Sequence, residues 1–269
     1  MNWQRRRRLV AVGYVGVAAV FILAPLLVVA AVAFTSANFV SFPPTGWSLR
    51  WINKVLADDN FMRALANSVL LGFSAALFAA LLATPAALAL ARGGFRGAAE
   101  LESFLLSPLS LPALILAIAL LFYLARLGLA GSFAGLLIGH AIIVLPYMLR
   151  TVLAVYRGID PSLEEAALVL GATPRRAFLH VTLPLIRPGI VAGALLAFLV
   201  SFDEVAVALL LSSSSSMTLP VAILNHVTHN YDPAVAAISL VKIVLVVAVL
   251  GILGLWFGLD RIMLTREAR

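Results

Sequence analysis

Six stretches of the chain stay apolar long enough to cross a bilayer: roughly 9–35, 62–91, 101–124, 133–156, 188–211 and 234–259. A crossing helix needs about 20 mostly apolar residues, and each stretch supplies them. Ser36 to Phe61 separates the first two. It carries Pro43-Pro44, Trp47, Trp51 and Asp58-Asp59, and is too polar to cross. Its tryptophans suit the headgroup level of a membrane. The first stretch follows the basic run Arg5 to Arg8, and Ala31-Val32-Ala33 has the form of a signal cleavage site. Leu9 to Phe34, however, is about twice as long as the apolar core of a signal peptide. It reads as an uncleaved span, with Pro25 kinking or locally thinning the helix.

Composition agrees with the pattern. Hydrophobic residues make up 63% of the chain and charged residues 12%, about half the charged share of a soluble domain. No soluble core could bury so much apolar surface and keep a wettable exterior. Cysteine is absent, which excludes a disulfide framework, a thiolate metal site and a cysteine nucleophile. The formal charge is +7, and the placement of the basic residues gives its meaning. With the N-terminus inside, 14 of the 19 lysines and arginines fall on the cytoplasmic side. They include Arg92, Arg96, Arg150, Arg157, Arg175, Arg176 and Arg187. Arg50, Lys54, Arg63, Arg126 and Lys242 fall outside or in the adjacent span halves. This is a topology signal rather than a nucleic-acid footprint. Both termini are expected in the cytoplasm.

The longest internal loop, Arg157 to Arg187, is richer than a connection needs to be. Pro161 to Leu170 is helix-forming, with Ser162 as its cap and Glu164 and Glu165 in the first turn, where the helix dipole favours them. Gly171 is placed to end that helix. Thr173-Pro174 opens a second one, with threonine as cap and proline in the first turn. Pro184 and Pro188 are expected to break the chain before the fifth span. The loop is thus two short helices at a bend.

This loop resembles the EAA loop of binding-protein-dependent ABC importer permeases. The family pattern is Glu-Ala-Ala, three residues, Gly, nine residues, then Ile-x-Leu-Pro. Here Glu165-Ala166-Ala167, Gly171 and Val181-Thr182-Leu183-Pro184 match it, with valine for isoleucine. Asn67-Ser68, Ser107-Pro108 through Pro112, Ala117 to Phe122, Ser201-Phe202-Asp203-Glu204, Leu219-Pro220 and Asp232 to Ala237 extend the similarity over most of residues 60–245. Within the family the chain looks most like the second permease of spermidine/putrescine-type importers. The resemblance implies an all-α integral membrane protein of the type I ABC importer permease fold. It would be one transmembrane domain over residues 1–269, with six helices and a coupling loop at 157–187, in a bacterial inner membrane. It implies that Glu165, Ala166, Ala167, Gly171, Leu183 and Pro184 belong to an element that docks on an ATPase. Small alanines suit close seating in a groove, and glycine suits the sharp turn. The implied partners are a homologous permease, two cytoplasmic ATPase subunits that use ATP and Mg²⁺, an extracytoplasmic solute-binding protein and membrane lipid. No cofactor is expected on this chain.

A phosphate-binding loop needs a lysine after a glycine-rich turn, and Lys54 and Lys242 are the only lysines; neither follows a glycine. His226 and His229, with Asp232 nearby, could hold a metal or form an ordinary polar external loop. His140 either bonds a neighbouring helix or lines the pathway, and His180 lies in the coupling loop. Ser212 to Ser216 reads as a flexible connector. A channel or secondary transporter is the alternative of another class, though no internal repeat is evident.

Asp203 and Glu204 lie about 22 Å into the fifth span at 1.5 Å per residue. Charges at that depth should face the bundle interior or a wet cavity. On one helix they would diverge by about 100°, one toward the pathway and the other toward a neighbour. Phe202, Asn67 and Ser107 join them as pathway candidates. A polyamine would find a transient counter-charge there. Lys242 in the sixth span could instead cancel it, or read the carboxylate of a zwitterion such as an amino acid or opine.

Overall fold

A computed structural model describes residues 3–92 and 94–257. Arg261, Arg266 and Arg269, the last two positions of the sixth expected span, and the side chains of Arg5, Arg6 and Arg8 lie outside the described residues. The described chain is helical: α1 (Trp3–Ala33), α2 (Arg50–Leu56), α3 (Asp59–Arg92), α4 (Ala98–Leu106), α5 (Ala113–Arg126), α6 (Phe133–Arg157), α7 (Ser162–Val169), α8 (Pro174–Ala177), α9 (Leu183–Asp203), α10 (Ala206–Leu211), α11 (Leu219–His229) and α12 (Ala234–Phe257). A 3₁₀ turn, Ser107–Ser110, follows α4, and a π-helical turn, Phe178–Thr182, joins α8 to α9. Five helices are long and apolar enough to cross a membrane, and a sixth crossing results if the bent pair α4–α5 counts as one.

Two expected spans differ in form. Residues 101–124 do not make a straight helix: the halves meet at 106°. Leu111 is extended, at φ −93° and ψ 137°, because the ring of Pro112 disfavours helical geometry in the residue before it. The fifth span begins well before 188. One helical run covers Pro174–Asp203, and Pro184 and Pro188 lie within α9 instead of breaking the chain. Pro184 sits in the first turn of α9, where a missing N–H costs little.

The chain divides into two compact units. The first holds the residues up to Met62 together with Ile223–Ala248. Its α1 is apolar all round and runs through Pro25 with only 6% of its span buried, as expected of a helix facing lipid. After α1 the backbone folds back. Thr35 pairs with Trp47, and the Ser48 N–H donates to the Phe34 carbonyl at 2.7 Å. Trp51 is buried, donating from its indole to the Ala37 carbonyl at 2.9 Å, with Arg50 and Lys54 each 4.7 Å from its ring centre. It is a packing residue rather than a headgroup anchor; Trp47 stays exposed.

Among the described residues, the second unit holds Arg63–Ala222 and residues 249–257. Its spine is α6 packed along α9. Gly189 and Gly193, four apart on α9, let the backbones approach in the small-xxx-small manner. A Cβ at Gly193 would lie 2.6 Å from the Met148 sulfur and 3.3 Å from its Cα, and one at Gly189 3.0 Å from Val155 Cβ. An apolar cluster that includes Leu71, Leu120, Leu124, Leu136 and Leu211 completes the core. Gly193→Leu should therefore overpack the α6–α9 seam at a cost of about 1–3 kcal/mol. Its melting temperature in detergent should fall, while Gly251→Leu, with nothing within 4 Å of the added Cβ, should melt as the unchanged protein does.

Candidate functional site: the α7–α9 loop and the break after α9

The sequence places a helix at α7, and the structure shows how it is closed at both ends. Ser162 is the first helical residue rather than the cap. Pro161 holds the cap position without a side chain that can bond, so the Asp160 carboxylate accepts from the Ser162 N–H at 2.9 Å. That hydrogen bond holds the Asp160 carboxyl below its ordinary value. Gly171, at φ +89°, ends the helix as expected. The Ala172 N–H donates to the Ala167 carbonyl and the Gly171 N–H to the Leu168 carbonyl, both at 3.0 Å. These are the two bonds of a Schellman motif. Thr173 caps α8, accepting from the Arg176 N–H, with Pro174 in the first turn.

Glu165 and Ala166 are exposed on α7, and Ala167 is half-buried. Val169 and Leu170, at 86% and 87% exposure, make an apolar tip. Leu183 is half-buried and Pro184 exposed at the start of α9, next to the π turn. His180 is exposed, its Nδ1 3.0 Å from the Arg176 carbonyl oxygen.

Sequence reasoning missed the group that holds this loop. The Glu164 carboxylate pairs with Arg92 and accepts hydrogen bonds from Tyr156 Oη at 3.1 Å and Thr182 Oγ1 at 2.7 Å. Arg92 Nε in turn donates to Tyr156 Oη at 2.5 Å. Beside this group, Arg157 makes a two-pronged pair with Glu102 at 3.1 and 2.5 Å. In the sequence, Arg92 reads only as a topology charge and Glu164 only as a dipole partner. They lie far apart in sequence, so no local pattern links them.

The acidic pair in the fifth span is not on one helix. α9 ends at Asp203, which is exposed, and Glu204 is extended at φ −71° and ψ 122°. The Glu204 carboxylate accepts from the Ala206 and Val207 N–H groups at 2.9 and 3.3 Å, closing the start of α10. Phe202 is buried and stacks on Phe198, with ring centres 5.5 Å apart. Asn67 donates both amide hydrogens, to the Ser215 and Met217 carbonyls at 3.1 and 3.0 Å. The serine run is accordingly an ordered turn rather than a flexible connector: the Ser213 N–H donates to Ser216 Oγ at 2.9 Å. Ser68 Oγ then accepts from the Leu219 N–H at the start of α11, at 2.8 Å. Ser107 Oγ donates to the Phe104 carbonyl at the α4–α5 bend. Lys242 lies half-buried on α12.

The histidines part company. His140, fully buried on α6, bonds Ser201 on α9 at 2.9 Å, the helix-bonding alternative of the two expected. His226 Nε2 lies 2.8 Å from Asp232 Oδ1, and Lys54 meets the other oxygen at 2.9 Å. His229 turns to the Asn225 carbonyl. Among the described residues no three histidine or acidic side chains form a metal-binding group. Burial pushes the Asp232 carboxyl up, but hydrogen bonds from His226 and Lys54, with the Lys54 charge, outweigh it and hold the carboxyl below its ordinary value.

Two measurements follow from this geometry. Valine at position 171 resists positive φ by roughly 1–2 kcal/mol. Gly171→Val should open the α7–α8 bend and speed tryptic cleavage at the exposed Arg175 and Arg176 in the detergent-solubilised protein; unchanged cleavage would count against the strain. A carboxyl with a depressed pKa stabilises above its unfolded value and loses that contribution as pH falls through the folded value. Melting temperature should therefore drop on acidification below about pH 4, and Asp232→Asn should remove that share of the drop.

The helical run from the end of α3 to α12 also carries a family signature. Residues 83–257 match the model described as binding-protein-dependent transport system inner membrane component. The Escherichia coli putrescine transport system permease protein PotI is 34% identical over 226 residues, 81% of this chain and 80% of that protein. The Escherichia coli spermidine/putrescine transport system permease protein PotC is 29% identical over 232 residues, 86% of this chain and 88% of that protein. Among solved structures, a chain of a bacterial ABC transporter that imports alginate superposes with a TM-score of 0.73. It is 21% identical, with 96% of this chain and 98% of that one covered. The apolar helices, the loop and these matches agree: the chain belongs to the family of inner-membrane components of binding-protein-dependent transport systems.

Proposed function

We propose that the chain is the permease subunit that carries a polyamine inward across a bacterial inner membrane, with ATP hydrolysed in separate subunits. The relatives described as putrescine and spermidine/putrescine permeases support the solute class. The observation that carries it is Asp203. Its carboxylate is exposed at the C-terminal end of α9, within an apolar stretch. The negative end of the helix dipole adds to that carboxylate's attraction for a cation. Discontinuous helices are a common place for transporters to meet charged solutes. A protonated amine would find a counter-charge there and could leave it again, since a single carboxylate does not encircle it.

Coupling falls to the loop. α7 offers Glu165, Ala166 and an apolar tip at Val169 and Leu170 to one of two ATPase subunits, which hold ATP and Mg²⁺. Gly171, Leu183 and Pro184 set the turn and the return into α9. A homologous permease completes the pathway, and an extracytoplasmic binding protein delivers solute to the outer face. The distribution of basic residues supports cytoplasmic termini. A second reading, a zwitterionic solute such as an amino acid or opine, is favoured by Lys242, half-buried on the otherwise apolar α12.

Uptake measured with labelled putrescine and with a labelled zwitterionic amino acid separates the two. Asp203→Asn should lower putrescine uptake about tenfold, the scale of one charge-assisted hydrogen bond, and Lys242→Leu should leave it unchanged. Loss of zwitterion uptake in Lys242→Leu supports the second reading. Normal uptake in both variants sinks the assignment of this region to the pathway.

A further inference from the structure

We propose that Glu164 is the pivot of the coupling loop, a positioning residue through which movement of α7 reaches the ends of α3, α6 and α9. This rests on the reading of α7 as the coupling helix. None of its residues is buried. Two cavities of about 300 Å³ flank its attachment. Leu88, Leu168 and Phe178 help line one, Ala91, Ile159 and Pro161 help line the other, and both are bounded by Arg92, Tyr156 and Glu164. A helix seated by an apolar face would fill such spaces. Here the helix stands beside them, and the polar contacts that tie it to the spans converge on one side chain.

That side chain is well enclosed, at 13% exposure, and its partners come from three places. Arg92 is the last residue of α3, Tyr156 is next to the last of α6, and Thr182 closes the π turn that leads into α9. Tyr156 Oη accepts from Arg92 and donates to Glu164, so the group is closed on itself. Charge-assisted hydrogen bonds are short and directional. They transmit a displacement of Glu164 to their donors, whereas the cavities let the rest of α7 tilt without collision. The π turn adds compliance next to Thr182, since such turns interrupt the regular ladder. Glu165, one residue on, points into solvent and has no such anchor. Adjacent glutamates thus divide the work: one faces the ATPase and the other faces the spans.

The test uses the whole importer, with both permeases, the ATPase and the binding protein, in proteoliposomes. Putrescine accumulated and ATP hydrolysed are measured together. Glu164→Gln keeps acceptors for Tyr156 and Thr182 but loses the charge that pairs with Arg92. It should leave the ATPase bound and hydrolysing while putrescine moved per ATP falls about tenfold, within the usual range of coupling effects. Arg92→Leu should do the same. Should Glu164→Gln fail to fold, Tyr156→Phe removes only the shared hydroxyl and should lower the ratio in the same direction. An unchanged ratio in whichever variants fold overturns the pivot, including the case where only the melting temperature falls. Loss of ATPase binding in Glu164→Gln also overturns it, because the residue would then serve docking. Gly171→Val provides the separate check on the loop. If that variant sheds the ATPase while the Glu164 variants stay coupled, the loop reading stands and the pivot falls. If Gly171→Val stays bound and coupled, the loop reading itself fails. Should the unchanged importer ignore putrescine, the solute class is at fault; stimulation of ATP hydrolysis by the binding protein then replaces the ratio, and its retention in Glu164→Gln overturns the pivot.

Discussion

A helix that stops inside an apolar environment leaves N–H and C=O groups that lipid cannot solvate, and this constraint bears on the interruptions of the apolar stretches. Several helix starts, there and in the α7–α8 loop, are closed by a nearby polar side chain. Glu204 supplies the acceptor at the start of α10, Ser68 at the start of α11, Thr173 at α8 and Asp160 at α7. The serine run closes its own turn and is tied down by Asn67. Side chains that might have been read as solute contacts are therefore partly committed to the backbone. Asp203 is exposed at the end of its helix, whereas Glu204 beside it is half-buried.

The second unit joins this backbone closure to a rigid seam. Gly189 and Gly193 bring α9 against α6 so closely that neither position has room for an added Cβ without displacing Val155 or Met148. His140 and Ser201 add a hydrogen bond across the same pair. Beyond it, the polar contacts of α7 with the spans meet at Glu164, so an apolar seam and a polar attachment lie within a few residues of each other.

Much of this architecture was legible in the sequence. Hydropathy located the spans because lipid demands long apolar runs, and α6 begins and ends within a residue of expectation. The end of α7 was legible because glycine at a helix terminus has a strong local meaning. The bend at 111–112 and the break at Glu204 were hidden, since apolar residues continue on both sides and a hydropathy average passes over them. Proline misled at 184 and 188: Pro184 falls in the first turn of α9, just after the π turn, and Pro188 is accommodated inside the helix, so one helical run stands where a break is expected. The Arg92–Glu164 pair depends on tertiary proximity alone, and nothing in the local spacing encodes it.

The break after Asp203 also separates two packing environments. α10 packs against α5 and α6, within the core of its unit. α9 continues in the other direction, through the π turn, to the loop. Glu204 and Val205, which belong to no helix, lie between. The fifth span is thus divided at those two residues: α10 takes its direction from the core it packs into, α9 takes its direction from the seam with α6, and the carboxylate of Asp203 stands where the second of these ends.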